Sequence, residues 1–136
     1  MNKKFFCFKK LRFLLLYFKG DSVREYRLSL VKYGINEYRF EELNGFCLQY
    51  NEKKEKISKP ETIRSNDVLQ KYISDIQLID NIANEVDENF APYLIEAVTN
   101  KIEKFETFKN KYNLDINFSD FCKKRRLFYC FLNAKL

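Results

Sequence analysis

The chain of 136 residues contains no histidine. That absence removes Ser-His-Asp and Cys-His nucleophilic mechanisms, His-ligated zinc centres and imidazole acid–base steps together. Glycine is nearly as scarce, at three residues, so Gly-rich phosphate cradles such as GxGxxG or a P-loop are missing as well. The four cysteines, Cys7, Cys47, Cys122 and Cys130, form no CxxC pair, which argues against structural zinc. Cys122 and Cys130 fall in one helical pattern, about 12 Å apart along its axis, too far for a disulfide. The expectation is reduced thiols in the core of a cytoplasmic protein. Long apolar runs are absent from the N-terminal stretch. Its uninterrupted run, Phe13 to Phe18, has six residues, too few to span a bilayer, and no small-residue cleavage site follows it.

What is abundant is charge and aromatic carbon. The net charge is +6, and it is unevenly placed. Residues 1–20 carry Lys3, Lys4, Lys9, Lys10, Arg12 and Lys19 with no acid, and residues 121–136 carry Lys123, Lys124, Arg125, Arg126 and Lys135 with none. Residues 21–120 hold 14 basic against all 19 acidic residues, so basic ends flank an acidic centre. Basic stripes of this kind suit a polyanion, because each phosphate contact releases condensed counterions. The competing expectation is that the ends neutralise the centre, in the same chain or in a second copy.

Capping signals and apolar periodicity predict a chain that is nearly all α-helical. Asp21, Ser22 and Glu25 form a capping box before Val23, Tyr26, Leu30 and Val31, and Gly34 suits a helix C′ position. Asn36 can cap a second helix with Phe40, Leu43, Cys47 and Tyr50 on one face, weakened by Gly45. The charged stretch after it, with Pro60, reads as a solvated linker. Ser65 caps a long helix whose stripe is Leu69, Ile73, Ile76, Ile79, Ile82, Ala83 and Val86. Pro92 starts a further helix bearing Leu94, Val98, Ile102, Phe105, Phe108 and Tyr112, which Asn113 can stop in the left-handed conformation. Asn117 then caps a final helix, about Phe118 to Asn133, with Phe121, Arg125, Phe128, Phe131 and Leu132 on one side. The expected organisation is a basic aromatic segment at 1–20, a helical hairpin at 21–50, a charged linker at 51–64 and a helical domain at 65–136. In fold class this is an all-α small helical bundle with a long helical hairpin and a C-terminal helix-turn-helix.

The C-terminal pattern carries the functional signal. A helix, a short connection, an Asn cap and a second, basic helix outline a motif whose second helix enters the major groove of DNA. In that geometry Asn117 and Ser119 meet phosphate or bases near the helix start, Cys122 faces the bases, and Lys123, Lys124 and Arg126 contact the backbone or guanine edges. Lys9, Lys10 and Arg12, interleaved with aromatics, are further candidate nucleic-acid contacts.

The stretch LDINFSDFCKKRRLFY, residues 114–129, resembles the recognition-helix signature L-G-I-S-x-S-T-F/V-Y-R-x-R-R of phage regulators of the ArpU/RinA type and of sigma-factor region-four-like domains. Ile116 matches the apolar residue before the cap, Asn117 the capping Ser, Ser119 the second Ser, Phe121 the buried position and Lys123 to Arg126 the basic run. Asp115 stands where the signature has its turn Gly, and Asp120 where it has Thr. The resemblance implies a transcriptional regulator that binds double-stranded DNA, with a homodimer as one arrangement. The alternative is a phage-type inhibitor, anti-CRISPR-like, docking on a host nucleic-acid-processing ribonucleoprotein, its acidic centre mimicking phosphate. An enzyme is not expected: carboxylates such as Asp87 and Glu88 point apart on a helix and no catalytic partner accompanies them. Neither a cofactor, a metal nor a membrane span is expected.

Overall fold

The computed structural model describes residues 30–102 and 104–136. The expectations placed on residues 1–29, namely the capping box at Asp21 and Ser22 and the contacts of Lys9, Lys10 and Arg12, lie outside the described residues. Within them the chain is all-α, and no strand is present among the described residues. The helices are α1 (Glu37–Leu48), α2 (Tyr50–Ile57), α3 (Asn66–Val86), α4 (Ala91–Thr99), α5 (Phe105–Lys111) and α6 (Phe118–Lys135), with a 3-10 turn at Pro60–Thr62. The described residues form two compact units, one made of residues 30–43 together with Ile102–Leu136, the other of Asn44–Lys101.

Short polar side chains set the helix starts. Asn36 Oδ1 accepts from the Arg39 amide at 2.8 Å, Ser65 Oγ from Val68 at 3.3 Å and Asn117 Oδ1 from Asp120 at 2.8 Å. Each supplies a partner to an amide that the first helical turn leaves open. Two helix ends use the left-handed region. Gly34 has φ 80°, and the amides of Gly34 and Ile35 donate back to the carbonyls of Val31 and Leu30. Asn113 has φ 52°, and its amide and that of Leu114 bond the carbonyls of Asn110 and Lys109. Both are Schellman closures, and at the first the expected apolar pair, Leu30 with Ile35, is fully buried.

In the Asn44–Lys101 unit, α2 and α3 run antiparallel, as three contacts with falling partner numbers show. Tyr50 meets Asp80, Lys53 meets Asp75, and the Lys56 ammonium lies over Tyr72. The core here is Cys47, Tyr50, Ile79, Ile82, Ala83, Phe90, Leu94, Ala97 and Val98. The turn from α3 into α4 is held by Asp87, whose Oδ1 accepts from the amides of Asn89 and Phe90 at 3.0 and 3.2 Å.

In the other unit the described core is Leu30, Ile35, Leu43, Phe108, Phe121, Phe128, Tyr129 and Leu132. α1 and α6 are joined there by Phe40 edge-on to Tyr129, ring centroids 5.1 Å apart, and by the Arg39 Nε–H donating to Asn133 Oδ1 at 2.6 Å.

Two expectations are corrected. Residues 51–64, read as a charged linker, continue as α2 through Ile57, because Lys53 is buried and charge-paired in place of facing water. The helix expected to run unbroken from Pro92 to Tyr112 is two helices, α4 and α5. Thr99 Oγ1 donates to the Ile95 carbonyl at 2.7 Å and Asn100 Nδ2 to the Glu96 carbonyl at 3.1 Å. The Asn100 side chain thereby takes the Glu96 carbonyl that its own backbone amide would have used in a continuing helix, and Asn100 turns extended.

Candidate nucleic-acid interface

α6 is anchored by aromatic rings. Phe121, fully buried, has Phe105 at 5.0 Å and Phe108 at 5.6 Å between centroids, and Phe105 also meets Phe118 at 5.4 Å. The rings of α5 therefore grip the first turn of α6 across the four residues between Tyr112 and Asn117. Offset and edge-on ring pairs of this kind add about 1 kcal/mol each beyond the area they bury. Phe128, Tyr129 and Leu132 continue the buried side toward the C-terminus.

That anchoring decides which residues face outward. At 100° per residue, Ser119, Cys122, Lys123 and Arg126 share one flank spanning about 100° of the helix circumference, whereas Lys124 lies about 160° from Arg126. Ser119, Lys123 and the Asn117 cap are exposed, while Cys122, Lys124 and Arg126 are half-buried. The structure thus brings Ser119, Cys122, Lys123 and Arg126 together and puts Lys124 on another flank. Among the described residues neither Lys123 nor Arg126 is held in an ion pair. Arg125, expected on the inner side, lies with its guanidinium 5.6 Å from the Phe121 ring. Asp115 and Asp120 are both exposed, and Asp120 sits in the first turn of α6, where a carboxylate suits the helix dipole. Burial raises the Cys130 thiol, an effect that the neighbouring Arg126 charge opposes.

A second polar cluster, not anticipated from the sequence, lies in the Asn44–Lys101 unit. Lys53 Nζ donates to Asp75 Oδ2 at 2.9 Å, with about a tenth of either side chain exposed, and Lys71 Nζ donates to Asp75 Oδ1 at 2.7 Å. Phe46 presents its ring face to Lys53 Nζ at 4.6 Å. Burial by itself would raise the Asp75 carboxyl; the hydrogen bonds and charges of Lys71 and Lys53 outweigh it and hold the carboxyl below its ordinary value. Burial also raises Tyr50, reinforced by its hydrogen bond to Asp80, and burial raises the Cys47 thiol against the pull of Lys53. The one sequence signal for this cluster is that Asp75 interrupts the stripe running Tyr72, Ile76, Ile79. A charge on an otherwise apolar face requires a partner.

Among the described residues no group of three His, Cys, Asp or Glu side chains is placed to hold a metal ion, and no helix is long and apolar enough to cross a membrane. Compared with family models, curated proteins and solved structures, the chain matches none.

Proposed function

We propose that the protein is a small regulator that binds double-stranded DNA by laying the outward flank of α6 in the major groove. The observation that supports this reading is the single flank of Ser119, Cys122, Lys123 and Arg126 on a helix whose opposite side is pinned by Phe121, Phe128 and Leu132. A helix fixed on one side and carrying cations on the other is the form that groove readers take, and here Leu127 and Asp120 share the exposed side beside Lys123. Lys123 and Arg126 supply phosphate or guanine contacts, and the short Ser119 side chain lets the helix approach the base edges. Lys124, on a separate flank, contacts a phosphate of the groove wall and not the bases. The sequence resemblance of residues 114–129 to phage regulators agrees with this reading. The test is duplex binding by fluorescence anisotropy at rising salt. Affinity is expected to fall by about tenfold or more between roughly 50 and 200 mM salt. Absence of duplex binding at the lower salt contradicts the proposal.

One observation favours the second reading, a protein that docks on a host nucleic-acid-processing complex. Phe118 and Leu127 are 39% and 46% exposed on α6, apolar area that a protein partner covers better than phosphate does. Recovery of a host complex that survives nuclease treatment supports this reading; recovery only through nucleic acid supports the first.

A further inference from the structure

Where α2 pairs with α3, a cleft of about 230 Å³ opens between Gln49, Glu52, Lys53, Lys56 and Tyr72. Of these side chains only Lys53 is buried. An ammonium group has three N–H donors. One goes to Asp75 and a second meets the face of Phe46, which leaves a third for the cleft that Lys53 lines.

Two lysines, Lys53 and Lys56, line the cleft against one lining carboxylate, Glu52; Asp75, the partner of Lys53, is shared with Lys71. Asp75 holds Lys53 in place, so a ligand meets a side chain whose position is already fixed and whose ordering costs little on binding. Lys56 is held differently. It pairs with Glu52 at 3.3 Å with both side chains largely in water, an arrangement that contributes little and is readily exchanged for a stronger acceptor. The Tyr72 ring, 6.0 Å from the Lys53 ammonium and 5.8 Å from that of Lys56, walls the space between the two cations. Its volume holds several waters or one tetrahedral oxyanion with part of its hydration.

We propose that this cleft binds a phosphate-class oxyanion, taken by Lys53 and Lys56 with the Gln49 amide as a neutral donor. Glu52 is the competitor that the anion displaces from Lys56. The site lies within one unit and does not depend on DNA binding by α6.

The experiment is a titration of the full chain with inorganic phosphate, followed by amide chemical shifts and matched against sodium chloride at equal ionic strength. Saturable shifts confined to residues 49–56 and the neighbourhood of Tyr72 are expected, and chloride is expected to leave them unmoved. Two exposed-residue variants move the affinity in opposite directions while the fold stays intact. Lys56→Ala weakens it by about tenfold, the loss of one charged donor, and Glu52→Gln tightens it. Phosphate esters of serine and adenosine, used as competitors, then tell a free phosphate from a carried one. No saturable shift at the cleft, shifts that chloride reproduces, or an affinity that neither variant changes overturns the proposal.

Discussion

Lys53 and Asp75 meet at 2.9 Å across the α2–α3 hairpin, each with about a tenth of its side chain exposed. A buried pair of this kind is strongly destabilising to break and close to neutral to replace, because the cost lies in the charge left behind. Asp75→Ala is therefore expected to lower stability by about 3–5 kcal/mol in urea denaturation, and the double variant Lys53→Met with Asp75→Leu to recover most of that loss. Equal losses in the single and double variants would show that packing, not the abandoned ammonium, carries the effect.

The same carboxyl makes stability depend on pH. The folded-state pKa of Asp75 is depressed. Its contribution is therefore complete above the ordinary carboxylate range and is lost as the pH falls through the folded value. Unfolding free energy is expected to decline from about pH 5 downward, and to decline less steeply in Asp75→Asn. The check is denaturant unfolding of both proteins across that range; parallel curves would show that Asp75 does not govern the acid limb.

Gly34 and Gly45 respond to alanine with opposite signs. Gly34 sits at φ 80°, and an added Cβ would meet nothing within 4 Å, so Gly34→Ala meets only backbone strain and costs about 1 kcal/mol. Gly45 lies inside α1 and a Cβ there also meets nothing within 4 Å, so Gly45→Ala stabilises by about 0.5–1 kcal/mol. Thermal unfolding of the two variants separates the effects.

Phe121 and Phe118, across one turn of α6, differ in the size of the loss. Phe121→Ala opens a cavity among Phe105, Phe108 and Arg125 and is expected to cost about 3–5 kcal/mol, whereas Phe118→Ala, at a partly exposed ring, costs about 1 kcal/mol. Comparable losses measured by denaturant would place the anchor of α6 elsewhere.

Local chemistry was legible where it acts on its own helix. Asn36, Ser65 and Asn117 are read as caps from residue type and position, and each accepts the amide three residues on. Gly34 and Asn113 are read as helix stops and hold positive φ. The all-α class follows from periodicity, as does the burial of Phe121, Phe128 and Leu132 on α6, whereas periodicity leaves Tyr129, fully buried, off that side and puts Phe131, half-buried, on it. What the sequence concealed depends on distant partners. Nothing in the run NEKKEKISKPET marks Lys53 as the lysine to be buried, since its partner Asp75 lies 22 residues away. Ile102 keeps the register of Val98 and Phe105, so the pattern runs on through a break made by the Asn100 side chain. At the candidate interface, adjacency in sequence groups Lys123, Lys124 and Arg126 as one basic run. Helical spacing already parts Lys124 from Arg126; what the structure adds is which side of α6 is buried, set by Phe121, Phe128 and Tyr129.

The most direct measurement of the DNA-binding proposal compares two charge reversals that leave the chain with the same net charge, Lys123→Glu on α6 and Lys59→Glu at an exposed position of the other unit. Duplex affinity at fixed salt is expected to fall by about tenfold or more in Lys123→Glu and to stay within about twofold of the parent in Lys59→Glu. Equal losses in both variants, or none in Lys123→Glu, would contradict a role for the α6 flank in holding DNA.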